Sequence, residues 1–345
     1  MRNERLGVGV IGVGTYGEWH ARAYHEHTTT ELVGVSDINE ELGREVAGKY
    51  GNVDYYADYQ DLLERADLEA VSIVLPDFLH RECCEAAAEA GKHILVEKPL
   101  ATTVEDASAI VEAADRAGVS LAVDFANRWG PGFAEAKRVI ERGELGDIEY
   151  INMFLNDTIF VPTEMLSWAG DSSVAWFLGS HCVDLVRWLS QAEISKVRAH
   201  AGYGKLTEQG IDTADYYKST LELENGALAH IENCWILPES TASVYDFRAE
   251  IVGTEGKFEV NASPNSHRMA CKYAEDSCTC AETGVFIEIG GKLAGFGKEV
   301  ITTGFVDRIM VDQEPFASGQ DGLTATKIVC AIEEAAESGS EIVIN

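Results

Sequence analysis

The feature that most constrains the fold is a glycine motif set inside an alternation of apolar runs and amphipathic stretches. Leu6–Ile11 is apolar throughout, as a strand covered on both faces must be. It runs into Gly12-Val13-Gly14-Thr15-Tyr16-Gly17, which opens a helical pattern over 16–27. Strand-like runs recur at 31–35, 53–56, 70–75, 93–96 and 120–123, and helical periodicity fills 39–50, 79–90 and 103–117. Gly91 and Gly118 fall where a left-handed residue closes a helix, and Thr103 with Asp106 makes a variant capping box. Alternation of this kind predicts an α/β fold with a doubly wound parallel sheet.

A G-x-G-x-x-G run alone is a weak signal, but here it follows a strand and opens a helix. Gly12 permits the tight turn, Gly14 lets a pyrophosphate approach the backbone, and Gly17 allows close helix–strand packing. Thr15 and Tyr16 begin a helix whose N-terminus offers amide donors and a positive dipole end. Asp37 follows Gly17 by about twenty residues, at the end of the second strand. A carboxylate there accepts adenosine ribose hydroxyls and repels a 2′-phosphate. The expected cofactor is NAD rather than NADP.

After Arg128 the pattern changes. A helix over 132–142 precedes longer strand-like segments at 148–155, 197–203, 216–223, 227–234, 249–252 and 257–261. Asn225-Gly226 between two of them is a hairpin signal. Helical stretches at 174–189, 305–311 and 323–337 complete an α+β domain with a large, mainly antiparallel open sheet. A prior of about 150 residues per domain also suggests two. The expected division is a Rossmann domain over 1–126 and a substrate-binding and oligomerisation domain over 127–345.

Charge excludes several partners. There are 58 Asp+Glu against 27 Lys+Arg, a formal net charge of −31. That field repels nucleic-acid phosphates and anionic membranes, and no run of Lys and Arg offsets it. No stretch reaches the ~20 apolar residues of a membrane span. The N-terminal apolar run enters the glycine motif instead of a cleavage site, so a cytoplasmic protein is expected. Such acidity suits solubility in concentrated salt, where screening removes self-repulsion. The cysteines are too dilute for a disulfide framework. Cys83, Cys84, Cys182 and Cys330 read as small core residues. Cys271, Cys278 and Cys280 are spaced unlike zinc ligand pairs, and no metal is expected.

Two further segments carry chemistry. Glu97-Lys98-Pro99 lies just past the fifth strand, where open α/β sheets bind ligands. Lys98 can hydrogen-bond a substrate hydroxyl, stabilise the developing alkoxide and relay a proton, or it can serve a surface ion pair. His181 and Asp184 share a helix face. Histidine can take the proton that leaves a hydroxyl as hydride departs, or it can simply bond Asp184. Trp168, Trp176 and Phe177 are either core or an aromatic wall for a sugar ring.

Together these residues resemble the Gfo/Idh/MocA oxidoreductases, which include glucose–fructose oxidoreductase and inositol dehydrogenases. The resemblance spans essentially the whole chain: the glycine fingerprint, Pro76-Asp77-Phe78-Leu79-His80, Glu97-Lys98-Pro99, Asn127-Arg128, His181-x-x-Asp184, Gly253-Thr254-Glu255-Gly256 and the tail from Asp321. It implies Lys98 and His181 as the catalytic pair, meeting over the coenzyme from two folding units. It adds Leu75, Pro76, His80, Glu97, Lys98 and Asn127 to the NAD-binding set. It also implies Lys98, Arg128, Trp168, Trp176, His181 and Asp184 as substrate contacts, and a homo-oligomer through the C-terminal sheet. Inositol-dehydrogenase-like members carry an aspartate four residues before the histidine, where this chain has Phe177. Either the pair suffices, or Asp157, Asp171 or Asp184 substitutes, or the substrate differs.

The expected activity is NAD-dependent hydride transfer at a hydroxyl carbon of a sugar, cyclitol or related polyol. The alternatives are a glycosidase-like enzyme that oxidises its sugar transiently with no net NADH, and a non-catalytic NAD-binding protein.

Overall fold

The computed structural model describes residues 5–51, 53–241, 243–263, 265–271, 279–282, 286–289, 292–295 and 298–344. The chain forms two compact units, Met1–Phe125 with Lys298–Thr326, and Ala126–Gly297 with Lys327–Asn345.

In the first unit strands and helices alternate: β1 (Leu6–Ile11), α1 (Thr15–Glu26), β2 (Thr30–Ser36), α2 (Glu40–Lys49), β3 (Asp54–Tyr56), α3 (Tyr59–Leu63), β4 (Ala70–Ile73), α4 (His80–Glu89), β5 (His93–Glu97), α5 (Val104–Ala117) and β6 (Leu121–Asp124). The strands pair in parallel in the order β3-β2-β1-β4-β5-β6. The order reverses between β1 and β4, so the crevice beyond the carboxyl ends of those strands is where such a sheet takes a ligand. β1 and β4 are buried at every position, which explains why they are apolar apart from Ser72 of β4.

Local signals set the helix ends. Asn39, Asp58 and Thr103 accept the amides of Leu42, Gln60 and Asp106 at the starts of α2, α3 and α5, each stabilising by about 1 kcal/mol. Gly118 closes α5 at φ +67°, a conformation costly for any residue with a Cβ.

The second unit holds α6 (Pro131–Glu141), β7 (Ile148–Thr158), α7 (Ser180–Ser190), β8 (Ile194–Gly202), β9 (Tyr216–Leu223), β10 (Leu228–Leu237), β11 (Tyr245–Gly253), β12 (Gly256–Ala262), β13 (Asn265–Cys271), β14 (Thr279–Glu282), β15 (Phe286–Ile289), β16 (Lys292–Gly295) and β17 (Ile342–Val343). Nine strands form one sheet in the order β14-β13-β12-β11-β7-β10-β9-β8-β17, antiparallel except for the central β7–β10 pair. Asn225-Gly226 turns β9 into β10, with Gly226 at φ +88°. Phe133 of α6 packs on Phe247 of β11, ring centroids 4.8 Å apart. On the opposite face Lys218 pairs with Glu232 at 2.7 Å, Asn156 donates to Glu232 at 3.1 Å, and Lys257 bridges Glu250 and Glu259.

Two further helices, α8 (Lys298–Met310) and α9 (Gly319–Ser338), follow β16. The sequence reading has the chain change domain once. Instead α8 and the start of α9 belong to the first unit, where Phe305 and Val306 join Val8, Val10, Tyr24 and Leu95 in the core. The structure also adds α3 and the strands after β12, and it starts α8 at Lys298 rather than at 305. Cys278 lies outside the described residues, and Cys271 and Cys280 fall on β13 and β14. Cys83, Cys84 and Cys182 are buried thiols, with burial raising each pKa. Among the described residues no helix is long and apolar enough to cross a membrane.

Candidate functional site

In the first unit the glycine loop leaves β1 at the switch point. Gly12 has φ +84°, and a Cβ there would lie 2.2 Å from the Val74 carbonyl oxygen. A Cβ on Gly17 would lie 1.8 Å from the Gly12 carbonyl oxygen, so helix and loop touch backbone to backbone. Gly14 is the opposite case: nothing stands within 4 Å of its Cβ position, and as the N-cap of α1 it makes no side-chain cap bond. Open space before an uncapped helix N-terminus is the shape a pyrophosphate fills. Thr15 is exposed and Tyr16 half-buried at the same tip, Tyr16 edge-on to Trp19 at 5.1 Å.

Asp37 stands at the end of β2. Its Oδ2 accepts the Val13 amide and its Oδ1 accepts the Asn39 amide, both at 2.8 Å. These bonds fix the carboxylate beside the loop and leave further lone pairs for ribose hydroxyls.

Leu75 and Pro76 are half-buried just past β4. His80 is 1% exposed, and its ring lies between backbone carbonyls: Nδ1 is 2.9 Å from Pro99 O, and Nε2 is 3.0 Å from Leu75 O. The geometry gives His80 the task of bracing those two segments together. Glu97 ends β5, Lys98 is half-buried beside it, and the Lys98–Pro99 peptide is cis. Glu97 Oε2 accepts the Lys98 amide at 3.2 Å.

In the second unit His181 lies half-buried on the first turn of α7. The expected single helix over 174–189 starts as a wider π turn, Ala175–Gly179. The extra residue of such a turn shifts the faces before it against those after it. Trp176 therefore points inward, 5% exposed, and its indole N–H donates to Glu333 Oε2 at 2.9 Å. Ser173 donates to the other Glu333 oxygen at 2.6 Å. Phe177 sits between Trp168 and Trp235, centroids 6.2 and 5.7 Å away. Sequence reasoning missed Trp235 and Glu333, since neither carries a local motif.

Arg128 and Asp184 are brought together. Nε and Nη2 of Arg128 donate to the two Asp184 oxygens at 2.9 and 2.5 Å, with the residues 7% and 1% exposed. This two-point pair ties the segment Ala126–Trp129 to α7 and neutralises both buried charges. Asn127 is half-buried on that segment. Of the other carboxylates, Asp171 is exposed and Asp157 is 5% exposed near the end of β7.

A parallel sheet with this strand order, glycine cradle and strand-end carboxylate defines a dinucleotide-binding domain. Residues 6–125 match the model of an oxidoreductase family described as an NAD-binding Rossmann fold, and residues 133–259 match the Gfo/Idh/MocA C-terminal domain. The chain belongs to the Gfo/Idh/MocA family, and its first unit is an NAD-binding domain. It is 32% identical over 261 residues to scyllo-inositol 2-dehydrogenase (NAD(+)) of Bacillus subtilis, covering 75% of this chain and 74% of that protein. It is 25% identical over 333 residues to myo-inositol 2-dehydrogenase of Thermotoga maritima, covering 96% of each. The structure of levoglucosan dehydrogenase in complex with NADH and levoglucosan superposes with a TM-score of 0.88 at 26% identity, over 99% of this chain and 100% of that one.

Proposed function

We propose that this enzyme oxidises a secondary hydroxyl of a cyclitol or sugar with NAD. The observation that carries the reading is Lys98 at the carboxyl end of β5, in the unit whose glycine loop forms the dinucleotide cradle. Bound NAD supplies the hydride acceptor. Lys98 hydrogen-bonds the reacting oxygen as negative charge develops on it, and His181 takes the hydroxyl proton. The half-buried Trp168 and Phe177 rings offer apolar surface suited to a sugar face, whereas Trp176, expected to contact substrate, is buried and held to Glu333 by a charge-assisted bond. Phe177 itself cannot accept a proton, so Asp157, buried near the end of β7, is the candidate to assist His181.

A panel of inositols, pyranoses and linear polyols with NAD and NADP tests the reading. Stoichiometric NADH, followed by near-ultraviolet absorbance, is expected with at least one cyclitol or pyranose. Substrate loss without NADH would support transient oxidation instead. Tight NAD binding with no turnover across the panel would support a non-catalytic role.

Coenzyme choice gives a second prediction. Placing a 2′-phosphate against the Asp37 carboxylate costs several kcal/mol, so Asp37→Ala is expected to shrink the NAD-over-NADP ratio of kcat/KM by about a hundredfold. The loop amides of Val13 and Asn39 lose their acceptor in the same variant, so NAD affinity falls too. An unchanged ratio would remove Asp37 from coenzyme selection.

The open face of the second-unit sheet, with its ladder of paired charges, suits contact with a second copy of the chain. The surplus of carboxylates suits a salt-rich environment.

A further inference from the structure

A buried polar cluster in the first unit is not accounted for by coenzyme binding. His20 of α1 is 1% exposed, and it faces Ser72 of β4, Glu97 at the end of β5 and Asp124 at the end of β6, which are 0%, 7% and 1% exposed. Nε2 of His20 lies 3.2 Å from Asp124 Oδ2 and 3.6 Å from Glu97 Oε1. Nδ1 lies 3.0 Å from Ser72 Oγ, which is 2.7 Å from the Tyr24 hydroxyl. The other Glu97 oxygen holds the Lys98 amide.

Two carboxylates in one dry pocket repel each other, and a cation between them removes that repulsion. Coulomb energy falls off with distance, so two short attractions to one cation outweigh the single repulsion between the carboxylates. Burial by itself would push the imidazole pKa down, but the adjacent Asp124 and Glu97 carboxylates outweigh it and raise the pKa above its ordinary value. Burial likewise keeps the Tyr24 phenol protonated by raising its pKa.

The geometry points to His20 as a positioning residue: as an imidazolium it clamps Glu97 and Asp124, and through Glu97 it sets the backbone that presents Lys98. The helix whose first turn receives the coenzyme is thereby bolted to the strand end that carries the amine. Its importance for turnover rests on the polyol-oxidation reading, while the clamp itself does not.

The sign of the linkage is fixed. With a folded pKa above the unfolded value, His20 stabilises the fold fully below about pH 6.5, and that contribution is lost as pH rises through the folded pKa.

The test uses the full-length protein. In wild type, the His20 ring carbon and nitrogen shifts are expected to be those of an imidazolium at pH 7.5, and the Lys98 amide is expected to be protected from hydrogen exchange. His20→Gln is expected to speed that exchange at least tenfold, with the NAD dissociation constant within about twofold. On whichever polyol the panel identifies, it is expected to lower kcat about tenfold or more. The double variant His20→Gln/Asp124→Asn removes one charge of each sign and is expected to regain most of both losses, which packing damage would not allow. A neutral ring at pH 7.5, losses that simply multiply in the double variant, or a stoichiometric metal ion in the purified protein would each overturn the proposal. If no polyol is oxidised, the ring shifts and Lys98 exchange still decide the clamp, and only the polyol reading fails.

Discussion

Lys98→Met is expected to lower kcat by about a thousandfold while NAD affinity stays within a factor of about two. Methionine keeps a long unbranched stem, so the half-buried site beside Glu97 loses the ammonium and little packing. A donor that strengthens as alkoxide character develops acts on the transition state, so its loss appears in kcat and in kcat/KM together. A thousandfold loss corresponds to about 4 kcal/mol of transition-state stabilisation. His181→Ala is expected to fall in the same range, because a positioned general base contributes about 10²- to 10⁴-fold. The double variant should be little worse than either single one, since two groups acting in one step do not contribute additively. Steady-state rates on the best substrate and coenzyme titration by fluorescence measure both quantities. A Lys98→Met enzyme with wild-type rate would refute the catalytic assignment.

The parts of this chain that were legible in its sequence are those with local causes. β1 matches its apolar run residue for residue, because a strand buried on both faces has no polar position to blur its ends. α5 starts and stops at Thr103 and Gly118 because a hydroxyl cap and a left-handed glycine are written into single positions. The π turn at Ala175–Gly179 left no such mark: one extra residue in an apolar helix changes which face a side chain occupies without changing the composition. The sequence predicts a helix at 305–311 but not its place in the first unit, since nothing within it says which core Phe305 and Val306 enter. The His20 cluster was invisible for a related reason. His20, Ser72, Glu97 and Asp124 are far apart in the chain, and only the strand order β1-β4-β5-β6 brings their elements side by side.

Thermal stability is expected to rise steeply with KCl, by on the order of 10 °C between 0.1 and 2 M. The formal charge of −31 makes the compact state repel itself, and the arrangement of cations shows how thinly they are spread. Arg65 serves Asp54 and Asp67; Arg81 serves Glu85, Glu105 and Asp106; Arg142 serves Glu135 and Glu144; Lys49 serves Glu18 and Glu45. Salt weakens these pairs as well, but exposed pairs are worth only about 0 to 1 kcal/mol each. The repulsion among the surplus carboxylates is summed over the whole surface, so its relief outweighs the loss. The Debye length falls from about 10 Å at 0.1 M to about 3 Å at 1 M, which is shorter than the spacing of most surface charges. Sucrose strengthens apolar burial without screening charge, so it separates the two effects: KCl should stabilise well beyond sucrose at matched osmolality. A melting temperature that is already high in dilute buffer and flat against KCl would show that the acidic surface carries no salt requirement.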